Sequence, residues 1–336
     1  ELMEAIEDIP GTALHEGIDW RWETFGEYID ALAEMPRTLD LGTTVPHAAV
    51  RAYVLGDRCH EYDVDAAEIG EIARVMADGV RAGALGVSTS RTIQHRSRHG
   101  YEPGTFALDE ELMAIADELA GVGRGLFQFV SDKTYAQAEW EWLEHLQSKG
   151  VNVTYTLAQD PGAPEAYLAN MDANHAATLA GTPTAPQVPT RPTGLLYGLQ
   201  STLHPFRAHP SYREIADRPH AERLAAMRDP EFRARLLAEE PKTKDRFIWY
   251  LVNNFAHMYR LGDPADYEPP KEQGAAAVAE REGRTPQEVI YDWLLEDDGT
   301  AMIFMPLGSY VDHDHEAIRA MIEHPGSIIG LSDGGA

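Results

Sequence analysis

The chain alternates short apolar runs with amphipathic segments, and this alternation restricts the fold more than any other feature of the sequence. Between the runs, apolar residues recur at helical spacing; in residues 64–82 they form a single stripe. Further helices are predicted at 109–122, 134–149, 164–180, from 285 onward and at 315–323. Strands are predicted at 38–45, 84–90, 125–131, 151–159, 184–190, 301–308 and 327–332. This order is typical of a parallel sheet with helical crossover connections.

Six or seven parallel strands with crossover helices predict an α/β fold: a (β/α)8 TIM-like barrel that lacks its first strand or two and its C-terminal part. A doubly wound open sheet is the alternative, but the Gly-x-Gly-x-x-Gly turn typical of that fold does not occur. We predict one partial barrel domain over residues 1–336. An insertion rich in Pro, Arg and aromatic residues interrupts it at about 192–270, with a helical core near 219–239 and a strand at 247–254.

The charge balance argues against two classes of partner. Asp and Glu number 55 and Lys and Arg number 28, which gives a net charge of −27. Such a surface repels the phosphates of nucleic acids and the headgroups of anionic membranes, so we expect neither as a partner. A small anionic substrate and assembly into a homo-oligomer are both compatible with this composition.

The sequence holds one cysteine, Cys59, in a polar stretch. A single thiol cannot form an intrachain disulfide, so the sequence gives no sign of an oxidising compartment and we expect a cytoplasmic protein. A loop thiol is the expected role of Cys59, and a metal ligand is the alternative.

Polar residues that follow the predicted strands are the candidates for a site, because chemistry in a barrel resides at the carboxyl ends of the strands. Asp333 is the most informative of them. It follows an apolar strand and precedes Gly334 and Gly335, where the backbone can approach a ligand closely. A carboxylate there can hold a metal ion and can move a proton from metal-bound water to a leaving amine. Capping of the next turn is the alternative role.

A second group of candidates would bind the substrate. His47 ends the first predicted strand. Ser90, Arg91 and His95 follow the second, and Arg191 follows the Pro-rich strand predicted at 184–190. Arginine can pair with a carboxylate through two parallel hydrogen bonds, and positive side chains attract an anion in so acidic a chain. A local hydrogen bond is the alternative role of His47, and a solvated basic loop is the alternative for the residues after the second strand.

Five stretches resemble the D-aminoacylase, or N-acyl-D-amino-acid deacylase, branch of the amidohydrolase superfamily. They keep the order of that family's elements: residues 1–11, Val45-Pro46-His47, residues 83–92 (Gly-Ala-Leu-Gly-Val-Ser-Thr-Ser-Arg-Thr), Pro103-Gly104-Thr105-Phe106 and residues 330–336 (Gly-Leu-Ser-Asp-Gly-Gly-Ala). The Gly-Ala-Leu-Gly-x-Ser-Thr and Ser-Asp-Gly-Gly-Ala pieces are the most specific of them.

The resemblance implies a distorted barrel, one or two zinc ions, a metal-bound hydroxide as nucleophile, and removal of an acyl group from an amino acid. It implies that Asp333 is the acid/base and a ligand at the metal, and that Ser90, Arg91 and His95 belong to a loop that contacts substrate. The family's His-x-His and Cys ligands are expected upstream of Glu1, because we expect both ends of this chain to lie inside a longer parent protein.

The sequence departs from the family at two strands. The family commonly places histidines at the ends of its fifth and sixth strands, whereas residues 125–130 and 151–156 contain none. A single metal with fewer protein ligands, neutral partners such as Gln128 and Gln159, and loss of hydrolysis are the open alternatives. We predict a metal-dependent hydrolase that deacylates an N-acyl (D-)amino acid. A barrel that binds a small carboxylic acid without hydrolysing an amide is the alternative.

Overall fold

The computed structural model describes residues 11–97, 100–132 and 140–331 of the 336-residue chain. The chain divides into two compact units. The first comprises the described residues up to Leu157, the segment Glu165–Val188, and those from Met321 onward. The second comprises Ala158–Pro164 and Pro189–Ala320. The insertion predicted at about 192–270 lies within the second unit.

The first unit is organised around a six-stranded sheet. Its strands are β1 (Thr44–Pro46), β2 (Gly86–Arg91), β5 (Leu126–Ser131), β6 (Asn152–Thr156), β7 (Thr184–Pro189) and β11 (Ile328–Leu331). They follow the order β1-β2-β5-β6-β7-β11, and the first five pair in parallel. Two short strands, β3 (Arg96–Ser97) and β4 (Gly100–Tyr101), form a separate antiparallel pair after β2.

Helices connect the strands of this sheet and cover one of its faces. The connecting helices are α3 (His47–Leu55), α4 (Ala66–Ala82), α5 (Asp109–Val122), α6 (Trp140–Ser148) and α7 (Ala166–Leu179), while α1 (Gly11–Gly17) and α2 (Phe25–Glu34) precede β1. α4 begins at a capping box in which Asp65 and Glu68 satisfy each other's backbone N–H groups. Its predicted apolar stripe is confirmed, because Ile72, Met76 and Val80 are completely buried.

The two faces of the sheet differ in chemistry. Residues at one register position on adjacent strands are almost completely buried under the helices: Val87, Phe127 and Val153. Successive side chains of a strand point to opposite faces. The next register position, which therefore belongs to the other face, holds Ser88, Gln128 and Thr154. The sheet thus has an apolar face that forms the core and a polar face.

The second unit is organised around an antiparallel sheet of order β8-β10-β9, formed by β8 (Thr193–Tyr197), β9 (Tyr259–Arg260) and β10 (Ile303–Gly308). Its helices are α8 (Pro210–Arg213), α9 (His220–Arg228), α10 (Pro230–Leu237), α11 (Arg246–Asn253), α12 (Ala275–Glu282) and α13 (Pro286–Leu294), and α14 (Glu316–Glu323) follows. Tyr197, Phe206 and Met305 belong to its buried core.

Two strand predictions in the second unit are wrong. Residues 247–254 were predicted as a strand, but α11 occupies Arg246–Asn253, because Asp245 accepts hydrogen bonds from the first backbone N–H groups of the helix. The strand predicted at 301–308 exists as β10, but it pairs antiparallel with its neighbours rather than joining the parallel sheet. A short, fully buried apolar run fits either kind of pairing, so the pattern could not distinguish them.

Closure of the parallel sheet into a barrel stays a prediction. In the order of the described strands, β1 and β11 are the two edges of the sheet. The first strand is also shorter than the predicted 38–45, since regular pairing covers only Thr44–Pro46. None of the helices in the described part of the chain is both long enough and apolar enough to cross a membrane.

Candidate functional site

Three polar side chains meet where β2 ends in the first unit. Ser90 Oγ lies 2.7 Å from Nδ1 of His95, and the same ring nitrogen lies 3.3 Å from Oε2 of Glu102. A backbone hydrogen bond of 3.0 Å from Glu102 N to His95 O closes the loop that carries them. Because both neighbours face one nitrogen of the ring, the group is not a Ser–His–acid relay, which requires both ring nitrogens. It can instead present a hydroxyl and an imidazole to a ligand.

Arg91 lies at the base of this loop. Its Nη1 donates to Ala107 O at 2.9 Å, and its Nη2 lies 4.0 Å from Oδ1 of Asp109, the first residue of α5. The side chain is only 12% exposed. The guanidinium therefore joins the end of β2 to the start of the following helix, and its predicted pairing with a substrate carboxylate is untested.

Asp132 connects the ends of two neighbouring strands. It follows β5 directly, and its Oδ1 accepts a 2.6 Å hydrogen bond from Thr92 Oγ1, just after β2. Its Oδ2 accepts a 2.7 Å bond from Ile93 N. Our choice of site residues from the sequence did not include Asp132 or Glu102. The position of Asp132 immediately after a predicted strand was a usable signal, whereas the loop position of Glu102 gave none.

A buried polar cluster supports the other side of the loop. Its members are His47, Arg51, Thr89 and Glu111, and each of them is at most 6% exposed. His47 Nε2 lies 2.6 Å from Glu111 Oε1 and His47 Nδ1 lies 2.9 Å from Thr89 Oγ1. A carboxylate can only accept, so Nε2 carries a proton and donates it to Glu111. Arg51 Nη1 donates to both oxygens of Glu111 at 2.5 Å.

Electrostatics within this cluster favour the ionised carboxylate. Burial opposes ionisation of Glu111, but the hydrogen bonds and charges of His47 and Arg51 outweigh it and lower the pKa of Glu111 below its usual value. Arg51 also donates through Nε to Cys59 O at 3.1 Å and through Nη2 to Glu61 O. The guanidinium thus fixes the segment after α3 as well.

The cluster also contacts the loop that carries His95 and Glu102. Gly104 has φ +93°, and a Cβ at this position would lie 2.9 Å from His47 Nδ1 and 3.3 Å from Arg51 Cδ. Only glycine combines this backbone conformation with so close an approach. His47 therefore packs beneath the loop, with both ring nitrogens engaged, rather than ending a strand in solvent. Its hydrogen-bond partners lie 42 and 64 positions away in the chain, so these contacts are not the local hydrogen bond that was the alternative role, and substrate binding by His47 stays a prediction.

The other predicted site residues lie elsewhere. Arg191 is exposed in the second unit, where its Nη1 lies 3.5 Å from Pro192 O. Gln159 is 2% exposed in the second unit, and its side chain bonds to Asp312 and to the backbone of Val311. Asp333 lies outside the described residues.

The described residues do not form a metal centre. Within residues 11–97, 100–132 and 140–331, no group of three or more His, Cys, Asp or Glu side chains could hold a metal ion. Cys59 is buried and free, and its carbonyl oxygen accepts from Arg51. The ion implied by the resemblance therefore has no fitting donor set in this part of the chain.

Comparison with known proteins gives a family match over nearly the whole chain. A model described as the Amidohydrolase family matches residues 2–336. D-aminoacylase from Alcaligenes xylosoxydans xylosoxydans is 28% identical over 122 residues, which are 36% of this chain and 23% of that protein. The match thus leaves most of that relative's length uncovered. No solved structure gives a significant match.

Proposed function

The chain belongs to the Amidohydrolase family, and from that premise we propose that the protein is a hydrolase of a non-peptide amide C–N bond. The substrate that we propose is an N-acyl amino acid, with the D-amino acid as the finer assignment. The similarity to D-aminoacylase over 36% of the chain supports this choice. The structural observation that supports the proposed function is the Ser90–His95–Glu102 group. This group lies at the carboxyl end of β2, the edge of a parallel sheet where a ligand can bind.

The proposed role of this group is to hold the substrate's carboxylate. Ser90 Oγ and His95 Nδ1 are joined by a 2.7 Å hydrogen bond, and when Nδ1 carries the ring proton and donates it to Ser90, the hydroxyl proton of Ser90 can be donated to a carboxylate. His95 is 32% exposed, so its ring is accessible from solvent, and Glu102 lies beside it at 3.3 Å. Arg91 and Arg191 are further candidates for the same carboxylate, and His47 acts on the loop from below.

The proposed role of Asp333 is that of acid and base. It would take a proton from the attacking water and give it to the leaving nitrogen as the amide bond breaks. Zinc dependence is part of the proposal and rests on the family resemblance. Metal analysis of the full-length protein, purified without chelator, tests it directly.

The experiment that tests the function is an assay of the full-length protein with N-acetyl-D-amino acids, N-acetyl-L-amino acids and their free products. We expect release of acetate, and we expect Asp333→Asn to reduce kcat by about two to four orders of magnitude. The matched control is Asp63→Asn, because Asp63 is exposed and its side chain has no role in the proposal. Full activity in Asp333→Asn would contradict the role. Substrate binding without any turnover in the wild type would favour the binding protein instead.

A further inference from the structure

The second unit contains a cavity that the proposed reaction does not use. Its volume is about 370 Å³, and it opens to solvent between the segment 203–217 and the segment 243–248. Four apolar residues line part of it: Leu203, Ala208, Ala216 and Ile248. Backbone contacts fix its wall, since Lys242 N donates to Ala208 O at 2.9 Å. The cavity can therefore accept a small ligand that has an apolar part.

The charged residues of the cavity favour an anion. Arg207, Arg213 and Asp217 line it, so its two positive charges exceed its one negative charge. Arg213 Nη2 donates to Lys242 O at 2.8 Å, which fixes that guanidinium at the rim. Within the described part of the chain, the half-buried side chain of Arg207 makes no hydrogen bond or ion pair.

Among the described residues Arg207 has no counter-ion, although the chain carries a net charge of −27. Arg228, Arg233 and Arg235 of the same unit each contact a carboxylate oxygen at 2.8–3.1 Å. Such surface pairs form readily when carboxylates outnumber cations. An unpaired guanidinium that is partly desolvated is costly, and a bound anion would offset that cost.

Two buried hydrogen-bond donors near the cavity residues also favour binding of an anion. His204 is completely buried, and its Nδ1 accepts from Phe206 N at 3.3 Å, so the ring proton is on Nε2. Arg223 Nη1 donates to the carbonyl oxygen of the cavity residue Ala216 at 3.3 Å. Among the described residues, neither His204 Nε2 nor Arg223 Nε has a hydrogen-bond partner.

The charged groups that act on the buried ring of His204 include two arginines. Burial, and then the charges of Arg207 and Arg223, lower the pKa of His204 to about 3. Two guanidinium groups therefore act on one buried ring, and that ring stays neutral at physiological pH with its Nε2–H as a donor.

We propose that this cavity binds a small organic monocarboxylate, whose carboxylate pairs with Arg207 and Arg213 and whose hydrocarbon part packs against Leu203, Ala208 and Ile248. Guanidinium groups bind a carboxylate through parallel charge-assisted hydrogen bonds. The apolar lining favours an organic acid over inorganic phosphate. The site lies within the second unit and is separate from the Ser90–His95–Glu102 group of the first unit.

Calorimetric titration of the full-length protein tests this site. The probes are hexanoate, the neutral and equally long hexanamide, and inorganic phosphate. We expect hexanoate to bind and the other two to bind at least about tenfold more weakly. Equal affinity for hexanamide, tighter binding of phosphate, or no binding of hexanoate would overturn the proposal.

Variants locate the binding and separate it from the proposed hydrolase site. Arg207→Gln is expected to weaken hexanoate binding at least about tenfold, and Arg213→Gln, whose side chain is exposed and tolerant of change, several-fold. Arg281→Gln is the matched control, because Arg281 is exposed and lies outside the cavity lining. His95→Gln is expected to leave hexanoate binding unchanged. Unchanged binding in Arg213→Gln, or loss in His95→Gln, would refute the site irrespective of whether the protein hydrolyses amides.

Discussion

Glu111 of α5 and His47 of α3 are joined by a 2.6 Å hydrogen bond in the interior of the first unit, where each is at most 2% exposed. Arg51 completes the pair from the same helix as His47 and holds both oxygens of the carboxylate. Gly104 of the loop after β2 lies against this group. The proposed substrate loop thus packs against a buried charge network through Gly104.

Replacing the carboxylate of this network should destabilise the fold. Glu111→Gln leaves Arg51 buried without its counter-charge, so we expect the free energy of unfolding to fall by about 3–5 kcal/mol. Denaturant unfolding measures this change. Glu110→Gln is the matched control, because Glu110 is the exposed neighbour on the same helix and should change stability by less than about 0.5 kcal/mol. Equal effects of the two substitutions would contradict a stabilising network.

The same network predicts an acid dependence of stability. The folded protein lowers the pKa of Glu111 below the ordinary value of 4.5; burial opposes this shift, and His47 and Arg51 outweigh it. A depressed folded-state pKa contributes stability that is fully present above 4.5 and is lost as pH falls through the folded-state value. The stability difference between wild type and Glu111→Gln should therefore shrink as pH falls below 4.5. Unfolding curves at neutral and acidic pH measure it, and a difference that grows in acid would be inconsistent with the shift.

A comparison of alanine substitutions at Gly104 and Gly100 distinguishes the cost of backbone strain from the cost of a steric contact. Both have positive φ, at +93° and +129°, but a Cβ at Gly104 meets His47 at 2.9 Å, whereas one at Gly100 meets no described atom within 4 Å. Gly104→Ala should cost about 1–3 kcal/mol more than Gly100→Ala, because only the first also forces His47 to move. Thermal unfolding of both variants gives the comparison, and equal costs would show that the contact with His47 has no energetic consequence.

Asp132 should hold the end of β2 in place. Asp132→Asn weakens its bonds to Thr92 Oγ1 and Ile93 N, so we expect the amide of Ile93 to exchange with solvent about tenfold faster. Hydrogen exchange followed by NMR measures this amide directly. Asp63→Asn serves as the control, because Asp63 does not contact the loop, and its exchange profile should match that of the wild type. An unchanged exchange rate of Ile93 in Asp132→Asn would contradict the claim that Asp132 holds the end of β2 in place.

The sequence predicted the elements whose pattern is local. α5 was predicted at 109–122 and occupies Asp109–Val122, and β5 was predicted within one residue, because apolar spacing marks both elements and the glycines at 121, 123 and 125 mark the boundary between them. The helix predicted from 285 onward is also confirmed, and Thr285 caps it together with Glu288. The strand prediction at 247–254 was wrong because the aromatic and β-branched residues of this run favour a strand, whereas Asp245 caps the helix that forms.

The candidate site was harder to predict because its contacts are not local. Glu111 lies one residue before Leu112, at the margin of a predicted apolar stripe, and nothing in its own segment indicates burial. Its partners His47 and Arg51 are 64 and 60 positions away in the chain. Ser90 and His95 were predicted as site residues because they follow a strand; they are 2.7 Å apart in the structure, and their role in substrate binding stays a prediction.

The most direct test compares two substrates of the full-length protein: an N-acetyl-D-amino acid and the same compound with its carboxylate converted to a neutral amide. If Ser90 and His95 hold the carboxylate, the wild type should prefer the acid, and His95→Gln should reduce that preference in kcat/KM by at least about tenfold. Glu110→Gln should leave the preference intact. An unchanged preference in His95→Gln, with kcat/KM for the two substrates falling in parallel or not at all, would contradict the account.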